Sequence, residues 1–80
     1  MTGLDVKLLR EFLGMTREDF AQRIECSPAL VYKIETGDRA ISPIIRKSLA
    51  RLICSRDFRG AETRLAKIKA ELEEVALCGL

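Results

Sequence analysis

No histidine occurs in the chain, which removes the commonest general acid–base group and a frequent metal ligand. The three cysteines, Cys26, Cys54 and Cys78, are odd in number, widely spaced and without a CxxC pair. That pattern argues against both a disulfide framework and a zinc site. Cys26 and Cys54 are expected to be small core residues, and Cys78, near a terminus, is open to oxidation. No glycine-rich phosphate loop is present, and no Ser or Cys has a visible basic partner. The residue set predicts neither an enzyme nor a cofactor or metal.

Long apolar runs are missing as well. Hydrophobic residues come in short helical patterns and never approach the roughly 18 in succession that span a membrane. The start, MTGLDVKLL, lacks the basic-then-apolar layout of a secretory signal, so a cytoplasmic protein is expected. A strong excess of one charge is the third absence. The net charge is only +2, so composition alone does not announce a nucleic-acid binder. Residues 1–54 carry nine Lys/Arg against seven Asp/Glu, and residues 55–80 carry five against five. The excess positive charge therefore falls in the first part of the chain.

What is present is a folded composition, 48% hydrophobic and 32% charged, in 80 residues. A single core of that size is only marginally stable, so oligomerisation would help. The periodicity predicts five helices and no strand. The first spans about residues 4–13, with Val6, Leu9 and Leu13 inward, Leu8 and Phe12 widening the stripe, and Gly14 closing it. The second starts at Thr16, an N-cap followed by acidic Glu18 and Asp19, and buries Phe20, Ala21 and Ile24. Ser27 caps a third with Pro28 at its first position, Val31 and Ile34 inward, and Gly37 at its end. Two short helices so closely joined form a helix-turn-helix unit. Ser42-Pro43 opens a fourth helix to about Cys54, burying Ile45, Leu49, Leu52 and Ile53. After Ser55 a charged, periodic helix covers residues 58–77. The expected division is residues 1–55 as a helix-turn-helix domain and 56–80 as a C-terminal helix packed on it.

The entry LREFLGMT, then Phe20-Ala21, Ser27, Val31 and the exit Ile34-Glu35-x-Gly37, resembles the phage-repressor (Cro and Xre type) helix-turn-helix regulators. The segment SPIIRKSLARL is similar to the family's fourth helix, and the resemblance covers roughly residues 5–53. It implies an all-α, lambda-repressor-like fold and binding to double-stranded DNA. In such a unit the second motif helix enters the major groove and the first crosses the backbone. With Val31 and Ile34 inward, steps of about 100° per residue turn Ala29, Tyr32, Lys33 and Thr36 outward. By the resemblance, Pro28, Ala29, Tyr32 and Lys33 read bases, and Thr16, Arg17, Ser27, Thr36 and Arg39 meet the backbone.

The sequence departs from the family pattern at Pro28, Ala29 and Glu25. Polar residues usual after the cap are replaced by Pro28 and Ala29, which can touch a thymine methyl but not hydrogen-bond a base. Few direct hydrogen bonds then remain, and shape readout must supply the rest of the specificity. Glu25 stands where many relatives have glycine, at a cost of about 1 kcal/mol if the position needs positive φ.

Phe58, Ala61, Leu65, Ile68, Leu72 and Val75 follow alternating spacings of three and four, an a/d heptad pattern. The pattern predicts a homodimer through this stripe. A parallel pair would oppose Asp57 to Glu62 and Arg64 to Lys69. An antiparallel pair instead sets Arg64 against Glu71 and Glu62 against Lys69, both attractive. The a/d residue types also allow a tetramer. The function expected is a dimeric repressor on a near-palindromic operator. A DNA-binding antitoxin, a restriction-system controller, or a protein-interaction module that no longer binds DNA remain as alternatives.

Overall fold

The structure is a computed structural model that describes residues 1–54 and 56–78, with side chains given as far as Val75. Its described residues form five helices and no strand: α1 (Gly3–Phe12), α2 (Arg17–Arg23), α3 (Pro28–Thr36), α4 (Pro43–Ile53) and α5 (Thr63–Cys78). Four of the five starts use one device. The side-chain oxygens of Thr2, Thr16, Ser27 and Ser42 accept the N–H groups of Asp5, Asp19, Leu30 and Ile45, at 3.1–3.3 Å. Each cap satisfies a backbone donor the helix cannot, a contribution of about 1 kcal/mol. Pro28 and Pro43 take the first-turn positions next to their caps.

All five helices share one core. Val6 and Leu9 of α1, Phe20 and Ala21 of α2, Val31 and Ile34 of α3, and Ile45, Leu49, Ala50 and Ile53 of α4 are buried together with Leu65, Ile68 and Leu72 of α5. The N-terminus of α1 approaches α3 so closely that a Cβ at Gly3 would collide with the carbonyl of Ile34. Glycine is therefore required there by packing.

The last helix departs from expectation in two ways. It begins at Thr63, because Gly60 adopts φ 82° and Asp57 caps a tight turn, its carboxylate accepting the Arg59 N–H at 2.8 Å. Phe58 and Ala61 thus precede the helix and are not in its register. More importantly, the heptad stripe is covered by the chain itself. Phe58, Leu65, Ile68 and Leu72 are buried, and Ala61 and Val75 pack against the same core. The helix folds back onto α4 and α1, so Phe58, Leu65, Ile68 and Leu72 are already covered within the subunit, while Ala61 and Val75 stay half-buried at the edge of the stripe. Its charges are engaged too. Arg64 pairs with Asp5 of α1 at 2.6 Å, Glu71 lies 3.5 Å from the amino group of Met1, and Lys69 sits over the Phe58 ring. The boundary expected at residue 55 is no break in the core.

Smaller corrections follow the same logic. Phe12 is 40% exposed and meets Phe58 at 5.0 Å between ring centroids, outside the core it was expected to widen. Leu52 is half-buried. Cys26 is half-buried, and burial pushes its thiol pKa up, while Cys54 is exposed at the C-cap of α4. Cys78 has no described side chain. No group of metal-ligating residues occurs among the described residues.

Asp5 is the polar tie between α1 and α5. Burial opposes its charge, but the Thr2 backbone N–H and the Arg64 guanidinium outweigh that and hold the carboxyl below its ordinary 3.8. A carboxyl lowered in the folded state contributes stability above its unfolded pKa and loses it as pH falls through the folded value. Asp5→Asn should therefore lower stability at neutral pH and flatten the decline below about pH 4, read from urea unfolding across pH. Leu65→Ala should cost about 2–5 kcal/mol of unfolding free energy, as for a core leucine. An interface-only leucine would leave unfolding of the monomer unchanged.

Candidate nucleic-acid interface

The geometry of the helix-turn-helix starts from a buried charge. Glu35 lies four residues after Val31, so the helical period turns it inward, and its side chain is 2% exposed. A carboxylate there requires partners. Arg10 of α1 supplies a fork, with Nε at 2.7 Å from one oxygen and Nη2 at 3.3 Å from the other. Its remaining nitrogen donates to the carbonyl of Met15, in the loop before α2, at 3.0 Å. Arg17, at the first position of α2, adds its Nε at 3.2 Å. One carboxylate thus joins α1, α2 and α3.

This network sets the exposed face. Having met Glu35, the Arg17 guanidinium passes over the ring of Tyr32, 5.1 Å from its centroid. Cation–π contact at a partly exposed site contributes about 0.5–1 kcal/mol. It also holds the tyrosine, 52% exposed, against the start of α2. Pro28, Ala29, Tyr32, Lys33 and Thr36 all lie on the solvent side of α3, within an arc of about 140°. Val31, Ile34 and Glu35 fill the opposite side.

The residues expected at a DNA backbone are placed less uniformly. Thr16 and Ser27 are exposed, and their hydroxyl oxygens already accept cap hydrogen bonds, which leaves each O–H free to donate. Thr36 donates to the Lys33 carbonyl at 3.2 Å. Arg39 is exposed after Gly37, whose φ of 89° ends α3. Neither Lys33 nor Arg39 is in an ion pair among the described residues. Arg17 differs from a free surface arginine, since its side chain is 40% exposed and anchored at one edge.

The turn between α2 and α3 is strained at Glu25. This residue has φ 59°, the one non-glycine positive φ among the described residues. It occupies the left-handed position of a Schellman turn, in which Glu25 N–H donates to Gln22 and Cys26 N–H to Ala21 at 2.9 Å. Arg23, Arg51 and Arg56 line the same shallow depression as Glu25. None of them is within ion-pair distance of Glu25 among the described residues.

The triad of Arg10, Glu35 and Arg17 was not foreseen as a unit. A signal for half of it exists: Glu35 and Arg10 each stand four residues after an inward valine, Val31 and Val6. Their pairing across 25 residues has no local signature.

Against this geometry, a family profile described as a helix-turn-helix domain matches residues 3–57. The match covers more than half of the chain, and the chain belongs to that family. Together with the five-helix all-α architecture, it agrees with a lambda-repressor-like fold of the Xre type. No curated protein and no solved structure matches the chain. No helix among the described residues is long and apolar enough to cross a membrane.

Glu25→Gly should raise the unfolding free energy by about 1 kcal/mol, because glycine adopts positive φ without the Cβ clash. Thermal or urea unfolding reads the gain; a loss would show that the positive φ at this position carries no such cost.

Proposed function

We propose that the protein is a sequence-specific DNA-binding regulator that places α3 in the major groove and acts as a two-fold dimer on a near-palindromic operator. The observation that carries this reading is the outward face of α3 joined to the start of α2 through Arg17. Pro28, Ala29, Tyr32 and Lys33 form one contiguous solvent face, and Thr16 and Arg17 stand at the helix start beside it. A helix N-terminus with a neighbouring arginine suits a phosphate, while the outward residues of the next helix suit base edges.

Within that face Lys33 donates to guanine O6 or N7 and Tyr32 offers a hydroxyl. Pro28 and Ala29 supply apolar contact to a thymine methyl. Thr16, Arg17, Ser27, Thr36 and Arg39 position the protein on phosphates. A surface with so few base-directed donors depends on DNA shape and on a second copy for its specificity. Half-sites about 34 Å apart, one helical turn, fit a two-fold dimer of this motif. Repression by occlusion of a promoter is the simplest use of such a device.

Gel-shift titration against the gene's own upstream DNA, at two salt concentrations, tests the reading. Lys33→Ala should cost about 1–3 kcal/mol at the specific site and little on unrelated DNA. Arg17→Ala should weaken binding to all sequences and lower the salt slope by about 1. Unaltered binding to a genuine operator by both variants would remove α3 and the start of α2 from the interface.

A further inference from the structure

Three arginines outside the DNA-facing surface converge beside the α2–α3 turn. Arg23 comes from the last turn of α2 and Arg51 from the last turn of α4. Arg56 follows α4 and is fixed to its end by a backbone N–H that donates to the Ile53 carbonyl at 3.0 Å. With Glu25, Ser48 and half-buried Leu52 they line a depression of about 480 Å³. A cation in the last turn of a helix complements the macrodipole, which accounts for Arg23 and Arg51 one at a time. It does not account for their meeting, nor for Arg56, which belongs to no helix.

Like charges gathered in one concavity raise the potential there unless carboxylates neutralise them. Among the described residues the guanidinium groups of Arg23, Arg51 and Arg56 enter no ion pair and no side-chain hydrogen bond. Arg10, Arg17, Arg59 and Arg64, by contrast, are each held by a carboxylate. The depression takes three of the fourteen Lys/Arg and one of the twelve Asp/Glu, which leaves eleven of each elsewhere. Its charge equals the entire formal excess of the chain, +2.

The donor set suits one kind of anion. Each guanidinium is a planar fork of N–H donors. The Ser48 hydroxyl, which also makes no hydrogen bond among the described residues, adds one more donor. A carboxylate has two oxygens in one plane, enough for one fork. A phosphate spreads its oxygens tetrahedrally and accepts from several arginines at once.

We infer that this depression binds a small phosphate-type oxyanion, phosphate or pyrophosphate, through Arg23, Arg51, Arg56 and Ser48. Glu25 faces the same space and opposes the anion, which holds the affinity down. None of these residues is among those assigned to DNA above, so the inference goes beyond the DNA-binding reading and does not rest on it. The source is a soluble phosphate compound; DNA carries the same group in its backbone, and the experiment separates the two.

Calorimetric titration of the full chain with pyrophosphate at low ionic strength provides the test. The wild type should bind one equivalent, more weakly as salt is added. Arg23→Gln, Arg51→Gln and Arg56→Gln should each weaken binding about tenfold, with thermal melts close to the wild type. Glu25→Gln should strengthen it, because a like charge is removed. Phosphate at pH 8 and malonate both carry about two negative charges, and phosphate should displace pyrophosphate at the lower concentration. Gel shifts of the three arginine variants should match the wild type on DNA. No saturable binding, unchanged affinity in the arginine variants, or equal displacement by malonate would each overturn the site. Arginine variants that lose DNA binding in a chain that ignores pyrophosphate would overturn it too, and assign these arginines to backbone phosphates. The DNA-binding reading fails separately: a chain that binds pyrophosphate as described yet shifts no DNA would overturn that reading and leave the anion site standing.

Discussion

The carboxylate of Glu35, buried and shared between Arg10 and Arg17, is the constraint on which the rest of the DNA-facing geometry depends. A charge removed from water in this way costs several kcal/mol unless its oxygens are occupied, and breaking such a pair from one side costs about 3–5 kcal/mol. Both oxygens are occupied here, and no buried side-chain polar atom among the described residues lacks a partner. The arginines come from α1 and from the first residue of α2, and Arg10 also holds the Met15 carbonyl. The loop entering the motif is therefore positioned from the same point as α3. Apolar packing is tolerant of small rotations; a forked hydrogen-bonded pair is not.

That restriction reaches the surface through Arg17. An arginine free in solvent has many rotamers, and ordering it on a phosphate carries an entropic cost. Arg17 is already held at one edge by Glu35 and lies over Tyr32, so much of that ordering precedes any contact with DNA. The same arrangement explains how a recognition helix beginning with Pro28 and Ala29 can still present a defined shape. Its polar reach is short, but the elements that carry it are fixed. Strain at Glu25 belongs to the same region, where the turn must be tight enough to set α3 against α2.

The fold-back of α5 solves the problem of size differently from the way its pattern suggests. α5 packs on α4 and α1, and its Leu65, Ile68 and Leu72 join Leu49 and Ile53 in one enlarged core. Polar ties reinforce the choice: Arg64 with Asp5, and Glu71 with the amino group of Met1. The heptad spacing was legible in the sequence, but an a/d stripe is satisfied equally by a partner helix or by the chain's own helices. Spacing carries no information about which surface is nearer. The break at Gly60, which removes Phe58 and Ala61 from the helical register, was likewise hidden by a regular spacing of apolar residues.

Local chemistry by itself determined the helices and the motif. Thr16, Ser27 and Ser42 mark helix starts because a side-chain oxygen three residues before a free N–H is a local arrangement, and Pro28, Pro43 and Gly37 act within one turn. The inward and outward faces of α3 follow from the 3.6-residue period, so its exposed residues are legible in the sequence. Tertiary structure alone decided what depends on distant parts of the chain. It paired Arg10 with Glu35, laid Arg17 over Tyr32, turned α5 inward, and gathered Arg23, Arg51 and Arg56 around one depression. Those outcomes rest on competition among surfaces brought together by folding, and no local pattern of residues encodes the winner.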